Sequence, residues 1–160
     1  MAQIFISVGS NQQPELYIRA ARQALAQAYG ELLVSRVFES EAVGFAGPVF
    51  LNLVIGAHTQ ESPQAVAQRL KTIELANGRK KNAEKFSNRT LDLDLLLYDD
   101  VISVKGVQIP RHEITENAFV LWPLAEVAPQ HRHPVVGQTY QEMWDNYPHQ
   151  QVLTPIPFDW

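Results

Sequence analysis

A chain of 160 residues with 46% apolar and 19% charged side chains has the composition of one globular domain, long enough to bury a single ordinary core. Its 17 acidic residues outnumber its 13 Lys and Arg, and the resulting net charge of −4 argues against broad binding to nucleic acid or to an anionic membrane. The absence of cysteine excludes disulfides, thiolate catalysis and thiolate zinc sites, and the apolar runs fall far short of the roughly 20 residues that span a bilayer. The opening MAQIFISVGSN lacks the basic start of a secretory leader, so the expectation is one cytoplasmic domain over residues 1–160.

Residues 4–8 form a β-branched and aromatic run that halts at Gly9-Ser10-Asn11, a strand followed by a turn. Pro14 suits the first turn of a helix in which Ile18, Ala21, Leu25 and Ala28 recur at helical spacing, and Gly30 is its stop. Residues 32–39 read as a second strand, 41–48 as a loop, and 49–59 as a third strand with Phe50, Asn52 and Val54 on one face. Ser62-Pro63 supplies the cap and first position of a second helix, marked by Val66, Leu70, Ile73 and Asn77 and ended by Gly78. A basic stretch leads into residues 89–98, whose alternation predicts a strand. A hairpin over 101–110, a helix near 119–124 and another near 138–146 follow, while Pro155 to Trp160 is too rich in proline for regular structure. The order predicts an α+β fold with a ferredoxin-like βαββαβ core: an antiparallel sheet with helices on one face, plus a C-terminal hairpin and helices.

Asp92 and Asp94 lie two apart on the 89–98 strand, so both carboxylates point to one face while Leu91, Leu93 and Leu95 point to the core. Like charges fixed side by side repel, and a divalent cation removes the conflict; the pair reads either as a Mg²⁺ seat or as the solvated face of an open sheet. Arg79, Lys80, Lys81, Lys85 and Arg89 gather five of the thirteen cations between Glu74 and those aspartates. The stretch reads as a solvated loop or as a grip on polyphosphate, and acids beside cations favour the second. Gly9-Ser10-Asn11 lacks the spacing of a known phosphate-binding fingerprint, so the plain turn is the simpler reading. Asn52 on an apolar strand needs partners that a planar heterocycle would supply, and Phe50 and Phe119 could sandwich such a ring or fill the core. His131 and His133 have a poor spacing for metal.

Taken together, Gly9-Ser10-Asn11, Val43-Gly44, Phe50-Leu51-Asn52, Ile73-Glu74-Leu75 with Gly78-Arg79, and Arg89-Thr90-Leu91-Asp92-Leu93-Asp94 resemble the hydroxymethyl-dihydropterin pyrophosphokinase family nearly end to end. Residues 118–124 and His133-Pro134 with Gly137 complete the likeness. The resemblance implies transfer of pyrophosphate from ATP to the hydroxymethyl group of a reduced pterin with release of AMP, a step of folate biosynthesis. It implies Arg79, Arg89, Asp92 and Asp94 as catalytic residues, the two aspartates holding two Mg²⁺ ions. Ser40, Val43, Phe50, Asn52 and Phe119 match the pterin slot; Glu74, Lys81, Phe86, Arg89, Leu95, Arg111 and His112 match the nucleotide side. Its partners would be these small molecules, with no nucleic acid or membrane, in a monomer or weak homodimer.

The chain departs from the family where Pro110 precedes Arg111 in place of His, where Asn117 replaces Arg, where Phe86 replaces Trp, and where Ser40-Glu41 replaces Thr-Pro. These departures leave two alternatives: a catalytically weak pterin- or nucleotide-binding relative acting as sensor or partner, and a pyrophosphokinase for another hydroxylated heterocycle.

Overall fold

The structure, a computed structural model, describes residues 1–41, 47–78, 90–103, 106–148 and 151–160. Apolar residues at strand spacing build β1 (Ala2–Ser10), β4 (Phe50–Thr59) and β5 (Asp92–Tyr98). β1 pairs antiparallel with both of the others, so it lies at the centre. The helices α1 (Pro14–Tyr29) and α2 (Pro63–Ala76) start and stop where the sequence places them. Gly30 adopts φ 82° and its N–H donates to Ala26 O at 2.8 Å, while the Ser62 hydroxyl accepts from Ala65 N–H at 3.2 Å. Pro stands in the first turn of each helix, where a missing N–H costs nothing.

The expected single strand over 32–39 is two: β2 (Leu33–Val34) and β3 (Val37–Ser40), both paired with β4. Ser35 makes the break, because its hydroxyl accepts the Val54 N–H at 2.9 Å where a strand carbonyl would otherwise stand. The tail also corrects the expectation. Leu153–Ile156 forms β6 along β3, and Pro155 is tolerated because an edge strand needs no N–H on its outer side. The sheet order is β5-β1-β4-β3-β6, which is the ferredoxin-like order with one strand added.

Helices cover both faces of the sheet, not one. Ile18, Ala21, Leu25, Val66, Leu70 and Ile73 of α1 and α2 pack on the face formed by Ile4, Ile6, Val8, Leu53, Ile55, Leu93 and Leu95. The other face carries α3 (Glu113–Glu116), α4 (Ala118–Val127) and α5 (Tyr140–Asp145), whose Ile114, Val120, Leu121, Leu124 and Met143 meet Phe5, Val54, Leu96 and Leu97. Trp122 seats α4 on Phe38 with ring centroids 4.9 Å apart, and Trp144 of α5 stacks on Trp122 at 4.8 Å. Of the hairpin expected over 101–110, the described residues show one bridge, in which Ser103 and Ile109 exchange both backbone hydrogen bonds. Among the described residues, no helix is long and apolar enough to cross a membrane.

Candidate active site

The C-terminal helices cover only part of their face, and the part beyond them carries the candidate residues. The register sets Asp92 opposite Gly9, Gly9 opposite Asn52, and Asn52 opposite Phe38, so these four residues form one row across the sheet. Asp94 stands opposite Ser7, and Ser40 opposite Phe50. The acidic pair and the amide therefore share a face, two strand spacings or about 10 Å apart. Gly9 belongs to β1 and is not part of a turn. A Cβ there would come 3.1 Å from Asn52 Oδ1, so the missing side chain leaves clear floor between amide and carboxylates.

Asn52 is buried, and its Nδ2 donates to Ser40 Oγ at 2.7 Å, which fixes the amide's orientation and couples β3 to β4. Phe50 is half-buried at the start of β4, and Phe119 lies in the first turn of α4, over the same face. Gln151 carries that turn: its Oε1 accepts the Ala118 N–H at 2.7 Å and its Nε2 donates to Glu116 O at 3.3 Å.

On the acidic side, Asp94 is driven away from ionisation. Loss of water first, and the Asp92 charge second, push it up to about 7; Arg111 opposes the rise, and Glu113 and Glu74 add to it. Glu74 is buried near the end of α2, where its Oε2 accepts the Leu93 N–H at 2.7 Å. One carboxylate thus holds α2 to β5 and adds negative charge beside the aspartates. Arg111 reaches Asp94 Oδ1 at 3.4 Å and pairs through Nε with Glu113, whose other oxygen lies 2.9 Å from His112 Nε2. Leu95 differs from its neighbours, because its side chain is in the core behind the sheet and only its main chain could meet a ligand.

The expected site residues thus divide. Asp92, Asp94, Asn52, Ser40, Phe50 and Phe119 share the sheet face or the helix over it, with Arg111, His112 and Glu74 around the acidic end. Val43, Arg79, Lys81, Phe86 and Arg89, with Lys80 and Lys85, lie outside the described residues. His131 and His133 do not join the site: His131 Nε2 lies 3.1 Å from Gln3 Oε1, and His133 Nδ1 accepts from the Val135 and Val136 N–H groups. Glu113 and Gln151 were not legible beforehand, because a lone acid and a lone amide in polar segments carry no motif.

Among the described residues, no three His, Cys, Asp or Glu side chains form a metal cage. Two carboxylates with an excess of negative charge around them nevertheless fit Mg²⁺, which takes one or two protein carboxylates and completes its shell with water and phosphate oxygens.

An antiparallel α+β sheet with an acidic pair at one end of one face and a buried amide near two phenylalanines at the other defines the class: a ferredoxin-like α+β domain whose candidate site lies on the sheet. The family model for 7,8-dihydro-6-hydroxymethylpterin-pyrophosphokinase matches residues 5–129. The 2-amino-4-hydroxy-6-hydroxymethyldihydropteridine pyrophosphokinase of Aquifex aeolicus is 34% identical over 145 residues, covering 89% of this chain and 90% of that protein. Its counterpart in Pseudomonas aeruginosa is 34% identical over 136 residues, 82% of this chain and 83% of that one. The folic acid synthesis protein fol1 of Schizosaccharomyces pombe is 34% identical over 160 residues, 97% of this chain but 22% of that protein. The wild-type HPPK-DHPS of Plasmodium falciparum superposes with a TM-score of 0.68 at 13% identity, covering 91% of this chain and 44% of that one, a likeness of fold alone. The chain belongs to the 7,8-dihydro-6-hydroxymethylpterin-pyrophosphokinase family.

Proposed function

We propose that this chain transfers pyrophosphate from ATP to the hydroxymethyl group of 6-hydroxymethyl-7,8-dihydropterin and releases AMP, with two Mg²⁺ ions held by Asp92 and Asp94. The row Asp92–Gly9–Asn52 supports the reading, since an amide suited to the edge of a heterocycle and a carboxylate suited to a metal share one face of the sheet. Asn52 would read the edge of the pterin, with Phe50 and Phe119 against its faces. That binding would point the hydroxymethyl arm along the Gly9 floor toward the aspartates.

Bound there, the metal would supply charge compensation for the phosphate oxygens. The chain's own part is positioning: it holds the hydroxyl near the β-phosphorus, and its cations stabilise charge as AMP departs. Oriented binding of this kind is worth about 7–11 kcal/mol of barrier, so no nucleophilic side chain is needed. Arg79, Lys81 and Arg89 would grip the triphosphate, Phe86 and Leu95 would lie along the nucleotide, and Val43 along the pterin. Arg111 would supply a guanidinium at the acidic end, beside Asp94.

The test is chemical. Protein incubated with ATP, Mg²⁺ and the reduced pterin should yield AMP and not ADP, one per pterin consumed, with no product when Mg²⁺ is chelated. Asp94→Ala should lose at least about two orders of magnitude in kcat, the scale set by removing one preorganised charge contact. Micromolar binding of pterin and ATP without AMP would favour a non-catalytic binding protein, and turnover only with another hydroxylated heterocycle would move the substrate assignment.

A further inference from the structure

Arg111 is held at two edges. Its backbone N–H donates to Leu96 O at 3.0 Å, which pins the residue beside β5, two positions along from Asp94. Its Nε pairs with Glu113 while a terminal nitrogen lies 3.4 Å from Asp94 Oδ1. Glu113 is fixed in turn by His112 Nε2 at 2.9 Å, and His112 Nδ1 lies 3.3 Å from Gln108 Oε1. A chain of polar contacts therefore runs from Gln108 through His112 and Glu113 to a guanidinium lying against one of the two carboxylates proposed to take metal.

A guanidinium and a divalent cation compete for the same carboxylate oxygen. Metal that takes Asp94 Oδ1 without nucleotide displaces Arg111 and leaves that cation without its Asp94 contact. Metal arriving with a triphosphate brings new acceptors, and the planar guanidinium fork matches phosphate oxygens well. Glu113 retains its hold on Nε throughout and keeps the released fork near the site.

We propose that Arg111 is a tethered counter-ion, positioned by Glu113, that occupies the acidic pair before nucleotide binds and hands Asp94 to the metal only when phosphates arrive to accept its guanidinium. The inference rests on the proposed metal role of Asp92 and Asp94. It makes metal and nucleotide binding strongly coupled, each raising the affinity for the other by the same factor.

Mn²⁺ is the probe, titrated by electron paramagnetic resonance into wild type, Arg111→Met and Arg111→Lys, with and without a non-hydrolysable ATP analogue. Without nucleotide, Arg111→Met should bind Mn²⁺ on the order of tenfold more tightly than wild type, because the internal competitor is gone. With Mn²⁺ present, the same variant should bind the analogue on the order of tenfold more weakly. Opposite signs in one variant are what a merely structural role does not produce. Arg111→Lys should keep weak metal binding, since the charge remains, yet lose phosphate affinity, since the fork is gone. Glu113→Gln should loosen the tether and lower analogue affinity while melting at the wild-type temperature. Unchanged or weaker Mn²⁺ binding by nucleotide-free Arg111→Met overturns the proposal. A wild type that binds Mn²⁺ but neither the analogue nor the pterin defeats the proposed function instead, and the nucleotide-free comparison still reads Arg111.

Discussion

Gly9 is a residue whose role depends on what it lacks. Its Cα sits between the acidic pair and the amide, and an added methyl would meet Asn52 Oδ1 at 3.1 Å. Asn52 cannot retreat freely, because Ser40 accepts its Nδ2 at 2.7 Å from β3. Gly9→Ala should therefore weaken pterin binding on the order of tenfold while costing less than about 1 kcal/mol of stability, since the amide must shift by only a few tenths of an ångström. Calorimetric titration with pterin beside a denaturant melt separates the two, and unchanged affinity would remove Gly9 from the floor of the site. His133 illustrates a titratable group used structurally. Burial pushes its pKa below the ordinary value, and its unprotonated Nδ1 accepts two backbone N–H groups. The unfolded chain takes up the proton first as pH falls. The contribution of His133 is thus complete above about 6.5 and is lost as pH drops through the lower folded value. Asp94, held up at about 7 in the folded chain, gains stability over the same range in both proteins and cancels in the difference. Denaturant melts of wild type and of His133→Asn, which keeps an acceptor without a titration, should therefore show the variant gaining on wild type as pH falls from 7 to 5, and a constant difference would mean that His133 does not titrate in this way.

At the scale of elements, the segment after α5 ties together the parts that would hold the pterin. β6 covers the open edge of β3, the strand that carries Ser40, and Gln151 caps the turn that carries Phe119. The last residues are clamped on α1: Arg19 Nε donates to Asp159 O at 2.8 Å, and the Arg22 guanidinium lies 4.6 Å from the Trp160 ring centroid. Gln151→Ala should cost about 1 kcal/mol, the usual value of a lost cap, and raise the KM for pterin while leaving that for ATP unchanged. Steady-state kinetics with each substrate varied in turn decides it; parallel changes in both would mean a general loosening. None of this strap was readable in advance, because Pro155 and Pro157 argue against a strand, and only β3's unpaired edge makes the pairing favourable. By contrast, β1, β4, β5, α1 and α2 were legible, since periodicity and caps act within a few residues. Asp92, Asp94 and Asn52 could be chosen one by one from alternation and polarity. Their alignment through Gly9 could not, because strand register is a long-range property that a local pattern does not encode.

At the scale of the whole molecule, charge is distributed unevenly along the sequence. Residues 79–89 hold five cations and one acid, 5 − 1 = +4, and the remaining residues hold 8 cations and 16 acids, 8 − 16 = −8, which together give the net −4. Glu74, Asp92, Asp94 and Glu113 place part of that negative charge at the acidic end of the open face, where Arg111 lies against Asp94 and Glu113. A triphosphate approaching such a site meets repulsion unless metal and cations accompany it, whereas a neutral pterin meets none. Association with the triphosphate should then depend on attraction by the basic segment over distances that salt screens, about 8 Å at physiological ionic strength. Stopped-flow measurement should show the association rate of Mg-ATP falling by at least about tenfold between low and high salt, with that of the pterin nearly constant. Lys80→Gln with Lys85→Gln, two cations given no individual role in the site, should reduce the salt slope for Mg-ATP and leave the pterin rate unchanged. Equal salt sensitivity for both ligands would show that the basic segment does not steer the nucleotide, and its lysines would then be a solvated surface.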